Sequence, residues 1–296
     1  MPVHETSPYP TVATYPKLVH GVTAKIQITD LKQSLESFVN KYANRLFNST
    51  EGGQSWHWIY DQAVELASTE VNNTNVKVTV RPVTHEWGQY SVIARVEPTT
   101  IVKDDIVILS AHLDTINDVD WNDTVKRYIA PGADDDGSGT VTILKTLKYL
   151  LTAPIRPVEF HWYSAEEFGL QGTKAVAEEY ANASTAVYAL MQLDMTGLVA
   201  TYVGLRVNHS ACGYNCSDHY SWNISGYPSS FPFETELIDL NPNYHSQNDT
   251  VDTIIFQHGR FHQARDCVRC RADSGQRHVM LITSLFHRST VHMGYR

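Results

Sequence analysis

The spacing of apolar residues changes character along this chain, and each change predicts an element. Leu31, Leu35, Phe38, Tyr42 and Leu46 recur every three or four positions behind Thr29 or Asp30, the pattern of an amphipathic helix that runs to Asn48. A second helix is predicted from Gln54 to Ala67, with Trp56, Ile59, Ala63 and Leu66 turned inward. Alternation over Val76 to Val80 and again over Ser91 to Val96 predicts two strands at a hairpin edge. From Asp105 onward the apolar residues gather into short unbroken runs: Ile106 to Leu109, Val158 to Tyr163 and Val187 to Leu193. Helical stretches at Ser138 to Leu151 and Leu170 to Tyr180 separate them. Runs apolar throughout suit strands buried on both sides. The fold class is therefore α/β, with a mainly parallel central sheet covered by helices on both faces.

In such sheets ligands bind beyond the carboxyl ends of the strands. Here those ends carry His112-Leu113-Asp114 after the first run, Glu166-Glu167 after the second and Asp194 after the third. Gly132 to Gly139 encloses the triplet Asp134-Asp135-Asp136 ahead of a helix, and Tyr244-His245-Ser246 lies far downstream. Taken singly, a His beside an Asp is usually a surface or capping pair, and adjacent glutamates are usually solvated. Together they would bury more negative charge than an interior tolerates without a cation. Histidines and carboxylates without a cysteine ligand suit zinc. Two cations sharing one carboxylate account for so many acids converging, and the chemistry that follows is metal-assisted hydrolysis with one further carboxylate as proton shuttle.

Composition narrows the class further. With 42% hydrophobic and 19% charged residues in 296, the chain is neither disordered nor fibrous, and it has no apolar run of membrane-spanning length. The formal charge of −9 is uneven: residues 256 to 296 hold seven Arg and two Asp (+5), leaving 16 basic and 30 acidic residues (−14) before them. A body that acidic predicts no nucleic-acid partner. Eight of 15 asparagines stand in Asn-x-Ser/Thr, at Asn48, Asn72, Asn122, Asn182, Asn208, Asn215, Asn223 and Asn248, an excess that predicts a secreted glycoprotein. The start, Met1-Pro2-Val3-His4-Glu5, is not a signal peptide.

Five blocks, Ser110 to Asp114, Ala130 to Thr140, Phe160 to Leu170, Gln192 to Gly197 and Cys212 to His219, resemble the motif set of the co-catalytic two-zinc aminopeptidases. The likeness is to secreted fungal leucine aminopeptidases in particular and covers about residues 29 to 255 in order. It implies a three-layer zinc-exopeptidase fold and removal of N-terminal residues, leucine and other large apolar ones first, from peptides with a free N-terminus. Two zinc ions per chain are implied: His112 and Asp194 on one, Glu167 and His245 on the other, and Asp134 bridging. Glu166 would be the general base, Asp114 would orient His112, and Tyr214 would hydrogen-bond the developing oxyanion. Cys212 and Cys216 match the family's small disulfide loop; the rival use of this pair is a zinc ribbon made with Cys267 and Cys270. The chain is expected to act as a monomer.

Residues 1 to 28 read as a leader or pro-segment remnant, 29 to 255 as the catalytic domain and 256 to 296 as an atypical tail. Two features depart from the family pattern. The stretch between 195 and 211 is short where the family has a helix. Codons permitted for Phe256 through Ala272, read one nucleotide later, can spell SNMVDFTKLAIAFAVEL, a string with apolar residues at helical spacing. An out-of-frame tail follows as the expectation, with a catalytically impaired product as one alternative. A related carboxypeptidase or single-zinc cyclase is another.

Overall fold

A computed structural model describes residues 27–69, 76–100, 104–120, 122–124, 128–150, 156–197, 214–234 and 240–256. Most of the leader, the shortened 195–211 segment beyond Gly197 and the tail beyond Phe256 lie outside these residues, as do Cys212, Cys267, Cys270, Asn72 and Asn208.

Helix α1, Ile28–Val39, stops well before Asn48 although Tyr42 and Leu46 continue the apolar spacing. The side-chain oxygen of Asn44 accepts from the Leu46 N–H at 3.1 Å and the Ser49 hydroxyl at 3.0 Å, offering the backbone a turn instead of a further helical repeat. Helix α2, Thr50–Thr69, starts earlier than predicted because Ser49 Oγ accepts from the Gly52 N–H at 2.9 Å, as an N-cap does. Strands β1, Val76–Val83, and β2, Ser91–Pro98, form the expected hairpin. Next come β3, Ile106–His112; α3, Gly139–Leu150; β4, Val158–Tyr163; α4, Gln171–Asn182; β5, Val187–Gln192; α5, His219–Ile224; and β6, Ser229–Ser230.

The six strands order β1-β2-β4-β3-β5-β6. The β3–β4, β3–β5 and β5–β6 pairs are parallel and the two pairs at the β1 side antiparallel. β4 shows how the strands serve two faces. Val158, Phe160 and Trp162 enter one core with residues of α1, α2 and α3, while Tyr163 joins Val176, Ala177 and Tyr180 of α4 and Trp222 of α5 in the other. Glu159 and His161 share the Tyr163 face, where apolar neighbours leave them no water, and they pair with each other at 2.9 Å. Tyr180 (2.6 Å) and Arg95 (2.8 Å) complete the hydrogen bonds of the Glu159 carboxylate. Burial would raise that carboxyl, but these donors hold it at about 2. Burial keeps the His161 imidazole neutral, so Arg95 is the charged partner in this row.

Candidate metal centre

β3, β4 and β5 run parallel, so their carboxyl ends open on one edge of the sheet, and the predicted residues collect there. His112 is the last residue of β3. Two positions on, the buried Asp114 carboxylate accepts from the N–H groups of Glu166 (2.9 Å) and Glu167 (3.1 Å), tying the loop after β3 to the loop after β4. The resemblance gives Asp114 to His112. In the structure, the acceptor nearer His112 Nδ1 is the Asp114 carbonyl oxygen, at 3.2 Å, with the carboxylate at 3.8 Å because two amides draw it away.

The acidic triplet requires a correction. Asp134, the expected bridge, is engaged elsewhere: Oδ1 accepts from the Gly197 N–H and Oδ2 from Asn241 Nδ2, each at 2.8 Å. Asp135 stands between the two histidines instead, Oδ1 2.9 Å from His112 Nε2 and Oδ2 3.1 Å from His245 Nε2. The cause is backbone: within the turn Ala133–Ser138, Asp135 (φ −105°, ψ 100°) and Asp136 (φ −118°, ψ 46°) leave helical geometry, so adjacent carboxylates point to different partners. Asp136 faces back, accepting from the N–H groups of His112 (3.0 Å) and Gly139 (2.8 Å). Gly132 opens the turn at φ +56°, where a Cβ would strike the Thr115 side chain and the Asp135 carbonyl.

Asp249 was invisible in the sequence pattern, yet its two carboxylate oxygens accept the Asp134 and Asp135 N–H groups at 2.9 and 3.0 Å. Asp118, also unforeseen, lies 3.2 Å from His245 Nδ1. Ser217 donates to Asp194 Oδ2 at 2.6 Å, leaving Oδ1 3.5 Å from His112 Nε2.

Among the described residues two ligand groups share one member: His112, Asp135 and Asp194, and Asp135, Glu167 and His245. Within each group the ligand atoms lie within 4.8 Å of one another. His245 Nε2 approaches Glu167 Oε2 at 2.9 Å, but off the hydrogen-bond direction; this nitrogen and Glu167 Oε1 are buried without hydrogen bonds. Polar atoms brought together yet left unbonded fit a cation, and imidazole nitrogens with carboxylate oxygens fit zinc. Glu166 can form a further group with His112 and Glu167, but the first two leave it outside.

The electrostatics describe a site short of positive charge. Burial alone would lower His112, but the Asp194 charge and the bonds from Asp135 and Asp194 lift it well above 6.5. The same contest, against Glu167 and Asp135, pushes His245 up to about 12. Burial would raise Asp135, yet its two histidines hold it below the usual carboxylate range. Burial drives Glu166 well above that range and, with the Asp135 charge, takes Glu167 up to about 7. Protons thus gather where a metal ion would supply the charge. The backbone is also strained here: Ala165, Met195 and His245 adopt positive φ values of 56°, 49° and 52° at or beside site residues.

Tyr214 stands at the mouth, 61% exposed, its phenol raised by partial burial and by the nearby Glu166 and Asp194 charges, so it remains a donor at neutral pH. The other wall of the pocket is apolar: Met195, Cys216, Phe231, Phe233, Leu240 and the ring of Tyr244, which stacks on His245 at 3.5 Å. A larger open depression of about 560 Å³ lies between the β1–β2 turn and α4, lined by His85, Trp87, Lys174 and Glu178 among others, and holds none of the ligand groups. The described sequon asparagines, Asn48, Asn122, Asn182, Asn215, Asn223 and Asn248, are all exposed. No helix among the described residues is long and apolar enough to cross a membrane.

Residues 91–202 match the family model described as Peptidase family M28. The chain is 33% identical over 289 residues to leucine aminopeptidase 1 of Emericella nidulans, and 34% identical over 288 residues to that of Aspergillus clavatus. Each match covers 84% of this chain and 72% of the relative. The solved LapA aminopeptidase of Legionella pneumophila superposes with a TM-score of 0.77 at 25% identity, covering 92% of this chain and 78% of that one.

Proposed function

The chain belongs to peptidase family M28 and is a metallo-aminopeptidase, and from that premise we propose a secreted two-zinc enzyme that removes leucine and other large apolar residues from peptide N-termini. The observation that carries the two-zinc reading is Asp135, one carboxylate oxygen toward each of two histidines. His112, Asp135 and Asp194 would hold one zinc; Asp135, Glu167 and His245 the other. Bound there, the ions would polarise the scissile carbonyl and acidify a water.

The rest falls to the chain's own groups. Glu166, lodged beside His112 and kept off the two ligand groups, takes the proton of the attacking water and hands it to the leaving amine. Tyr214 donates its phenol hydrogen to the developing oxyanion. Met195, Phe231, Phe233 and Leu240 offer the substrate's first side chain an apolar wall, which supports the preference for leucine. The surrounding carboxylates favour a charged α-amine and so an exopeptidase. Cys216 is disulfide-bonded, and the partner we propose is Cys212, with Tyr214 held between them. Six exposed sequons support passage through the secretory route.

Metal analysis together with two substrates tests the reading. Two zinc ions per chain and hydrolysis of leucine p-nitroanilide, with none of its N-acetyl derivative, are expected. Fewer than two zincs in active enzyme, or equal turnover of the blocked substrate, would overturn it. A mobility shift on endoglycosidase treatment of the native protein tests the secretion proposal separately.

A further inference from the structure

Arg45 belongs to none of the metal-binding motifs and lies on the segment between α1 and α2. Its side chain is fully buried. Its three hydrogen-bond acceptors are main-chain carbonyls: Nε donates to Leu113 at 2.8 Å, Nη1 to Pro131 at 2.5 Å and Nη2 to Gly132 at 2.9 Å. Leu113 sits between His112 and Asp114, while Pro131 and Gly132 lead into the turn that carries Asp135. One planar fork therefore spans two of the three segments that supply ligands to the first group, those of His112 and Asp135. The fork is itself fixed. The Arg45 N–H donates to Thr115 Oγ1 at 2.8 Å, Gln89 Nε2 donates to the Arg45 carbonyl at 3.0 Å, and the guanidinium lies over the Phe38 ring at 4.6 Å.

We propose that Arg45 is a positioning residue of the metal centre, locking the loop after β3 to the entrance of the Asp135 turn so that His112 and Asp135 stand at ligand separation before metal arrives. The proposal rests on the two-zinc reading. Two physical effects support it. A rigid fork removes loop freedom that metal binding would otherwise have to freeze. A buried positive charge also opposes the mutual repulsion of Asp249, Asp136, Asp135 and Asp114, the carboxylates whose fields reach it. Lysine keeps the charge but has a single nitrogen and cannot span three carbonyls in two loops.

Arg45→Lys in the full chain, stripped of metal and titrated with Zn²⁺ against a chromophoric chelator, separates these roles. Zinc affinity is expected to fall about 10–100-fold, the usual loss when a group supporting a ligand is removed. In the zinc-free protein, amide exchange should quicken at residues 113–116 and 131–137 rather than throughout. A lowered unfolding midpoint with wild-type zinc affinity and unchanged local exchange would make Arg45 merely structural and overturn the proposal. Should Arg45→Lys not fold, Thr115→Val, which removes the backbone anchor and keeps the guanidinium, is expected to weaken zinc by up to about tenfold; unchanged affinity there overturns it equally. Wild-type protein that takes up fewer than two zincs would instead defeat the two-zinc reading.

Discussion

Two neighbouring aspartates of identical chemistry should respond oppositely to the same substitution. Asp135→Asn takes an anionic oxygen from between His112 and His245, and its amide can present an oxygen to one ion while turning an NH₂ toward the other. Each charge-assisted bond removed is worth about 1.5–3 kcal/mol as a floor, so removing two costs about 3–6 kcal/mol, or roughly 10²–10⁴-fold in zinc affinity. Asp134→Asn keeps an oxygen for the Gly197 N–H and sets an NH₂ against Asn241, whose own amide can flip to accept it only by releasing the Asn243 N–H that its oxygen holds at 2.9 Å. That variant should lose about 1–2 kcal/mol of stability and still hold two zincs. Chelator competition with metal analysis of each purified variant reads both zinc affinity and zinc content, and urea unfolding reads the stability. Zinc lost from Asp134→Asn and retained by Asp135→Asn would refute the assignment of the shared ligand and the reasoning from turn geometry with it.

Three further outcomes are expected. Glu166→Gln should bind two zincs as wild type does while kcat for leucine p-nitroanilide falls about 10²–10⁴-fold with little change in KM, since the group moves protons rather than holding substrate; a parallel loss of zinc would show it to be a ligand. Glu159, held at about 2 in the folded protein against an ordinary value near 4.5, contributes stability that is complete above pH 4.5 and is lost as the pH falls toward 2. The stability gap between wild type and Glu159→Gln in urea should therefore narrow by about 2 kcal/mol between pH 7 and pH 3, and a constant gap would contradict the shift. Trp162→Ala, which empties a fully buried position in the larger core, should cost about 3–5 kcal/mol in denaturant melts, and a loss below about 1 kcal/mol would mean the core collapses around the gap.

The centre of the sheet was legible because β3 and β4 are buried on both faces: the run Val158 to Tyr163 is β4 to the residue, and the residues at the three strand ends meet at one edge. Local competition escaped the periodicity. The apolar spacing that continues through Tyr42 and Leu46 says helix, while Asn44 and Arg45 hold that segment in a turn through bonds to Ser49, Leu113 and Gly132. In the acidic triplet three identical letters give no sign of which carboxylate faces the histidines. The choice is made by backbone angles that Asp249 helps to hold from 114 residues away. Supporting residues such as Asp249, Asn241 and Arg45 have no spacing that marks them, because what they hold, backbone for Asp249 and Arg45 and the Asp134 carboxylate for Asn241, is brought close only by the fold.

The long reach of Asp249 bears on how the molecule is made. The acidic turn leaves the ribosome more than a hundred residues before the carboxylate that accepts its Asp134 and Asp135 N–H groups, and before His245, which faces Asp135. The central strands and most of both cores can gather early, but the catalytic edge, like the Val251 and Ile254 part of the larger core, must wait for nearly the whole described chain to be synthesised. Until then a cluster of acids stands open with its amides bonded to water. The acidic turn accordingly cannot take its final hydrogen bonds until residue 249 has been made, and a chain halted short of it lacks the Asp249 acceptor.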